Sequence, residues 1–268
     1  MRTAVVKNEG APEHGLVAVR QVAEVTEVHT RILRLALGAE ESRAYWEHAD
    51  PATPGEACDL QAFEQRWFGN KSHERVRTLL ANFAVRYDVY PEALAVLRRW
   101  RNMDLLTRKA VCHWHLQLAD PIYRRFTGEF LPRRREQKDA RLDRNVVLRW
   151  VRDEYPARWA DATTVQFASK LLSATSEAGL ISAKKDPRTF LFPRVTDTAL
   201  AYLMYLLRGV RFVGGLLDNP FAGSVDLRGA ALEQRLRNAP GLEFRRMGHL
   251  FEFEWAFDNL ERWGEATL

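Results

Sequence analysis

Residues 143–192 have the sequence DRNVVLRWVRDEYPARWADATTVQFASKLLSATSEAGLISAKKDPRTFLF, and this stretch decides the fold that we predict. Apolar residues recur at spacings of three and four, which predicts one helix over about 143–154 and a second over about 161–179. Two short strands and a further helix follow, over residues 180–183, 189–192 and 197–208. This order of elements is typical of a winged helix-turn-helix, so we predict a winged-helix-like unit over residues 143–220.

The second helix of this unit has two different sides. A helical wheel predicts a buried arc made of Val165, Ala168, Leu171, Leu172, Thr175 and Ala178. The opposite arc is short-chained and mostly uncharged, and such side chains can reach base edges in a major groove. We expect Gln166, Lys170 and Ser173 to lie nearest the bases. An ordinary solvated helix face gives the same pattern, and many winged-helix units bind only protein.

Positive charge is concentrated in the middle of the chain. The protein has 40 Lys and Arg against 35 Asp and Glu, a net charge of +5. Residues 98–149 hold fourteen basic and six acidic side chains, so the remainder of the chain is net negative. A positive region of this kind attracts polyanions, among which nucleic acid is the commonest. We expect phosphate contacts from two groups, the predicted basic linker over 131–142 (Arg133, Arg134, Arg135 and Lys138) and the turn between the two strands (Lys184, Lys185 and Arg188).

The fold class predicted for the whole chain is mainly α. We expect a flexible leader over residues 1–20 and a helical bundle over 21–130, in which Ser72 and Asp104 are helix N-caps. The bundle precedes the basic linker and the winged-helix-like unit with its short β-hairpin. A tail over 221–268 is predicted to hold a helix near 226–238 and a β-hairpin about Met247-Gly248.

Several classes of function lack a sequence signal. Cys58 and Cys112 are too few for a disulfide framework, which favours a reduced, cytoplasmic setting. The apolar stretch 199–217 is interrupted by arginine, so we expect a buried core helix and no membrane partner. Cys112-His113-Trp114-His115 lacks metal-ligand spacing, because the two histidines point about 200° apart on a helix. We therefore predict a non-enzymatic protein with no catalytic residue, cofactor or metal, although an active site assembled from distant residues stays an alternative.

Short motifs carry a resemblance to a known family. They are Glu41-Ser42-Arg43, Phe68-Gly69-Asn70-Lys71-Ser72 before a long helix, Leu171-Leu172, and Glu177-Ala178-Gly179-Leu180-Ile181. In order and spacing over residues 20–220 the chain resembles the BrxA family of small proteins from bacterial BREX phage-defence systems, and it departs from that family beyond Phe221. The resemblance implies an all-helical, non-enzymatic DNA-binding component with an N-terminal bundle similar to an antitermination factor.

Three hypotheses follow for the function. The first is binding of double-stranded DNA through the 98–149 surface and the 161–190 segment. The second is an assembly adaptor that holds other phage-defence proteins together without touching nucleic acid, for which eight Trp and fourteen Phe supply material for binding hot spots. The third is a nuclease or transferase whose metal or cofactor the sequence does not specify. The oligomeric state has no sequence signal.

Overall fold

The computed structural model describes residues 22–50, 53, 55–183, 185–248 and 250–268. It confirms the mainly α class. The predicted leader, residues 1–20, lies outside the described residues. The N-terminal half contains β1 (Val22–Ala23), α1 (Arg31–Arg34), α2 (Ala39–His48), α3 (Gly55–Glu64), α4 (His73–Phe83), a π-helical segment (Ala84–Asp88), α5 (Pro91–Arg99) and α6 (Leu105–Ala119).

The C-terminal half is also helical, with a few short strands. It contains α7 (Pro121–Arg125), a second π-helical segment (Phe126–Phe130), α8 (Leu131–Arg135), α9 (Arg144–Glu154), α10 (Asp161–Glu177), α11 (Asp197–Arg208), β2 (Val210–Arg211), α12 (Pro220–Ser224), α13 (Gly229–Leu236), β3 (Leu242–Met247), β4 (Leu250–Trp255) and α14 (Leu260–Thr267). The parallel pair β1–β2, the short helix α12 and the last helix α14 had no clear signal in the sequence.

Local polar side chains begin the helices where the sequence predicts. The Ser72 hydroxyl accepts a hydrogen bond from the Arg75 N–H at 3.3 Å, and Asp104 accepts from the N–H groups of Leu106 and Thr107 at 2.9 and 3.0 Å. These caps satisfy backbone donors that have no partner within a helix. Both predicted N-caps are confirmed.

The centre of the molecule is formed by α6 and α11. Both helices are buried almost all round, as expected for helices without a polar side. The helix α11 packs against α6, α13 and α14, although the sequence grouped it with the winged-helix-like unit. Within the described ranges, every helix is too short or too polar to cross a membrane.

The predicted basic linker over 131–142 is helical in its first part. α7, the second π-helical segment and α8 run on without a break, and we call them the 121–135 helix. Phe126 and Phe130 of this helix pack on the Trp150 ring of α9, with centroids 5.1 and 5.3 Å apart. Leu131 and Pro132 are buried as well, so the charge run begins on the exposed side of a packed helix.

A close backbone contact fixes the other side of the 121–135 helix. A Cβ placed on Gly128 would lie 2.5 Å from the Pro220 Cβ and 3.1 Å from its Cα. Glycine is needed there because a side chain of any size would push α12 away.

The tail follows the prediction more closely. β3 and β4 form the expected antiparallel hairpin, with Phe244 opposite Phe253 and Met247 opposite Leu250 at the turn. α13 occupies the middle of the helix predicted near 226–238. Arg245 pairs across the hairpin with Glu254 at 3.4 Å, whereas Arg246 binds Glu233 of α13 at 2.6 Å.

Candidate nucleic-acid interface

The helix pair α9–α10 forms as the sequence predicts. The Asp143 carboxylate accepts a hydrogen bond from the Val146 N–H at 2.9 Å and begins α9, and the Trp159 ring packs on Phe167 of α10. Of the predicted buried arc of α10, the residues Ala168, Leu171, Leu172, Thr175 and Ala178 are buried, and Val165 is half-buried. The buried side of α10 faces α9 and α1.

The other side of α10 carries an exposed polar stripe. Gln166 and Ser173 are exposed, and Lys170 between them is half-buried. Spacings of four and three place these residues on one side of the helix. Among the described residues, neither Gln166 nor Ser173 has a side-chain hydrogen-bond partner, so both are available to a ligand.

The segment after α10 folds back onto the residues that precede α9. Ile181 forms an antiparallel bridge with Phe190, and Leu142 forms one with Arg188. We call residues 182–189 the wing. Three short extended pieces around positions 142, 181 and 188–190 thus lie side by side, which joins the predicted linker to the wing.

The wing cations differ in their availability. Lys185 is exposed, and no carboxylate of the described residues lies within 4.0 Å of its amine. Lys184 lies outside the described residues. Arg188 is only 15% exposed, and its Nε donates to Asp186 at 3.1 Å. Because Asp186 also accepts from the Arg144 N–H at 3.0 Å, it ties the wing to the first turn of α9 and neutralises Arg188.

The run Arg133-Arg134-Arg135 points in different directions. Arg133 is 78% exposed and 3.9 Å from Glu129. Arg134 hydrogen-bonds to the Arg141 carbonyl oxygen and to the Gln137 amide oxygen, and no carboxylate neutralises it in the described ranges.

Arg135 has a structural position. It is 14% exposed, it pairs with Asp226 at 3.2 Å, and its guanidinium stacks over the Phe192 ring at 4.4 Å. Burial lowers the pKa of Arg135, and the Asp226 carboxylate opposes that shift. The prediction that Arg135 contacts phosphate does not fit this packing, because the guanidinium is already paired and stacked.

Seven cations between residues 131 and 192 have no carboxylate within 4.0 Å among the described residues. One of them, Arg158 in the loop before α10, donates to the Val28 carbonyl oxygen at 3.3 Å. The other six are Arg134, Lys138, Arg144, Arg149, Lys170 and Lys185. The sequence prediction named four of them as contact residues and omitted Arg144 and Arg149, which are both exposed on α9. The signal for these two was present, since each lies on the polar side of the helix that precedes the recognition-helix candidate.

Several cations in the first part of the basic region, residues 98–125, are paired with carboxylates. Arg99 pairs with Glu261 and Glu265 of α14, Arg108 forms two short hydrogen bonds to Glu40, and Arg124 binds the buried Glu24 at 3.3 Å. The surface expected over residues 98–149 therefore loses these three cations to ion pairs within the fold. Arg101 and Lys109 have no carboxylate within 4.0 Å among the described residues.

The histidines of the Cys112–His115 motif are part of the core. His113 hydrogen-bonds to Tyr123 and Ser224, and His115 bonds to the Arg86 carbonyl oxygen and the Tyr202 hydroxyl. Burial lowers the pKa of His113 to about 3 and that of His115 to about 4, so both are neutral at pH 7. In the part of the chain that the structure describes, no group of three His, Cys, Asp or Glu side chains is arranged to hold a metal ion.

Comparisons with known proteins inform the fold alone. No protein-family model matches the chain, and no curated protein is significantly similar to it. The crystal structure of an uncharacterized protein from Magnetospirillum magneticum is similar, with a TM-score of 0.54 and 16% identity. The match covers 69% of this chain and 98% of that chain. This similarity indicates a shared fold over about two thirds of the molecule.

Proposed function

We propose that the protein binds double-stranded DNA through residues 121–192, which we call the interface unit, without catalysing a reaction. The observation that carries the proposal is the set of six unpaired cations around a helix whose exposed stripe is short and polar. Cations already paired with carboxylates gain little from a phosphate, whereas unpaired ones release counterions from the duplex on contact.

The order of elements in the interface unit supports a winged-helix-like arrangement. The 121–135 helix, the extended residue Leu142, α9, α10, Ile181, the wing and Phe190 follow one another in the order of a winged helix-turn-helix. In that arrangement the second helix of the pair enters the major groove and the wing lies along the backbone. Gln166 and Ser173 then reach base edges, while Arg144, Arg149 and Lys185 reach phosphates.

Our proposal includes the cellular setting that the family resemblance implies. The protein acts in the bacterial cytoplasm as a component of a phage-defence system of the BREX kind, with other defence proteins as partners. Support for this part comes from the short sequence motifs, and a neighbouring set of genes that encodes a methyltransferase and a phosphatase-like protein would support it independently.

The test uses two matched pairs of arginines. Arg144→Ala with Arg149→Ala removes two exposed cations of the interface unit, and Arg211→Ala with Arg237→Ala removes two exposed cations elsewhere. In the part of the chain that the structure describes, none of the four has a carboxylate within 4.0 Å. We expect the first pair to weaken binding to a fluorescein-labelled duplex about tenfold or more at low salt, and the control pair to change it less than twofold. Equal losses for the two pairs, or no binding by the unaltered protein, would contradict the proposal.

The turn of the tail hairpin favours a second candidate function. Met247, Leu250 and Phe251 are 68, 73 and 57% exposed and adjacent across the turn. Exposed apolar side chains that cluster in this way are typical of protein-binding sites. An adaptor that contacts another defence protein through this turn is compatible with DNA binding, and a partner retained after nuclease treatment at high salt would support it.

A further inference from the structure

A pocket of about 350 Å³ opens between α2, the end of α5 and the start of α6. Its lining includes the arginines Arg43, Arg98, Arg101 and Arg108, the indoles of Trp46 and Trp100, and a single carboxylate, that of Glu47. None of these residues belongs to the interface unit. A concave site of this size fits a small molecule.

The guanidinium groups of the pocket are paired to different degrees. Arg43 donates to Glu47 at 2.7 Å, and Arg108 donates to both carboxylate oxygens of Glu40 at 2.8 and 2.9 Å. Arg98 lies 4.0 Å from Asp50, at the limit of an ion pair. Arg101 is exposed and, within the described ranges, no carboxylate is near it. The lining therefore has a net positive charge with one guanidinium entirely uncommitted.

We propose that the pocket binds a small phosphate-bearing molecule. A phosphate is rich in acceptor oxygens and carries negative charge near neutral pH, which complements the guanidinium groups of Arg98 and Arg101, and arginine recognises phosphate through paired N–H donors. The half-buried Trp100 ring provides an apolar face for an organic part of the ligand. A duplex is too wide for the site, because Arg108 lies deep in it and is only 9% exposed.

The test is isothermal titration of the full chain with inorganic phosphate and, separately, with adenosine 5′-monophosphate. We expect saturable binding of at least one of them with a dissociation constant below about 1 mM. Tighter binding of the nucleotide would assign its ring to Trp100, and equal affinities would assign recognition to the phosphate group alone.

Two variants locate the binding. Arg101→Ala removes an exposed cation whose side chain makes no hydrogen bond or ion pair among the described residues, so it should weaken binding about fivefold or more. Arg237→Ala, an exposed arginine outside the pocket, should leave the affinity unchanged. The proposal is overturned if neither compound binds with a dissociation constant below about 1 mM, or if Arg101→Ala binds as tightly as the unaltered protein while its melting temperature is unchanged.

Discussion

His113 and His115 are buried and uncharged, so the stability of the protein depends on pH. Both histidines have a folded-state pKa below the ordinary value, about 3 and about 4 respectively. As the pH falls below about 6.5, the unfolded chain takes up protons on these imidazoles and the folded chain does not. Their contribution to stability is therefore present near neutral pH and is lost as the pH falls from about 6.5 towards 3–4.

A histidine variant isolates this effect. We expect the free energy of unfolding to fall between pH 7 and pH 5 by about 2 kcal/mol for each buried histidine. His113→Gln, which cannot be protonated, should reduce the fall by about that amount in urea titrations at the two pH values, whereas the exposed His73→Gln should not. An unchanged pH dependence in His113→Gln would show that the buried imidazole is not the cause.

At the residue scale, the sequence identifies helix caps but few buried polar contacts. Ser72 and Asp104 act on backbone groups within three residues, so their role is readable from local order. Arg86 had no such signal. It is buried and donates to the carbonyl oxygens of Leu35, Ala36 and Leu37, about fifty residues away. Long-range pairing of this kind also explains why Arg135, which binds Asp226, was expected to be free and is not. Arg188 was missed for a different reason, because its partner Asp186 lies only two positions away.

At the scale of elements, Asp186 sets how much charge the wing presents. Its carboxylate binds the Arg188 side chain and the Arg144 N–H. Asp186→Asn keeps an oxygen that can accept from Arg144, removes a negative charge and releases Arg188. If the wing contacts phosphate, we expect this variant to bind duplex DNA about two- to tenfold more tightly in an anisotropy titration. Weaker or unchanged binding would place the wing outside the interface. Asp226→Asn, which removes the carboxylate that pairs with Arg135, provides the comparison.

Elements were predicted where they depend on local periodicity. The helix Asp197–Arg208, the pair α9–α10 and the tail hairpin match the prediction because their apolar spacing and turn residues are continuous in sequence. The sequence prediction placed a boundary at residue 130, within the 121–135 helix, because the end of this helix is rich in charge. Phe126 and Phe130 nevertheless continue its buried side. The bridge between Leu142 and Arg188 joins residues 46 positions apart, and no local pattern indicates it.

At the scale of the whole molecule, charge is divided between two roles. Arg99 and Arg108 of the bundle form ion pairs with α14 and α2. In the interface unit several arginines, such as Arg125, Arg133 and Arg135, are also paired, whereas Arg134, Arg144 and Arg149 have no carboxylate within 4.0 Å among the described residues. Net charge and its local excess were readable from composition, but the division was not, because it depends on which carboxylates the fold brings close. The unpaired cations of α9, α10 and the wing are the physical basis for placing DNA binding on residues 121–192.

The salt dependence of duplex binding tests the central claim most directly. Six unpaired cations that each neutralise one phosphate would give a slope of about −5 in a plot of the logarithm of the binding constant against the logarithm of salt concentration. We predict a slope between about −3 and −5 for the unaltered protein, measured by fluorescence anisotropy from low to physiological salt. A slope near zero, or no binding to any duplex at low salt, would contradict the account.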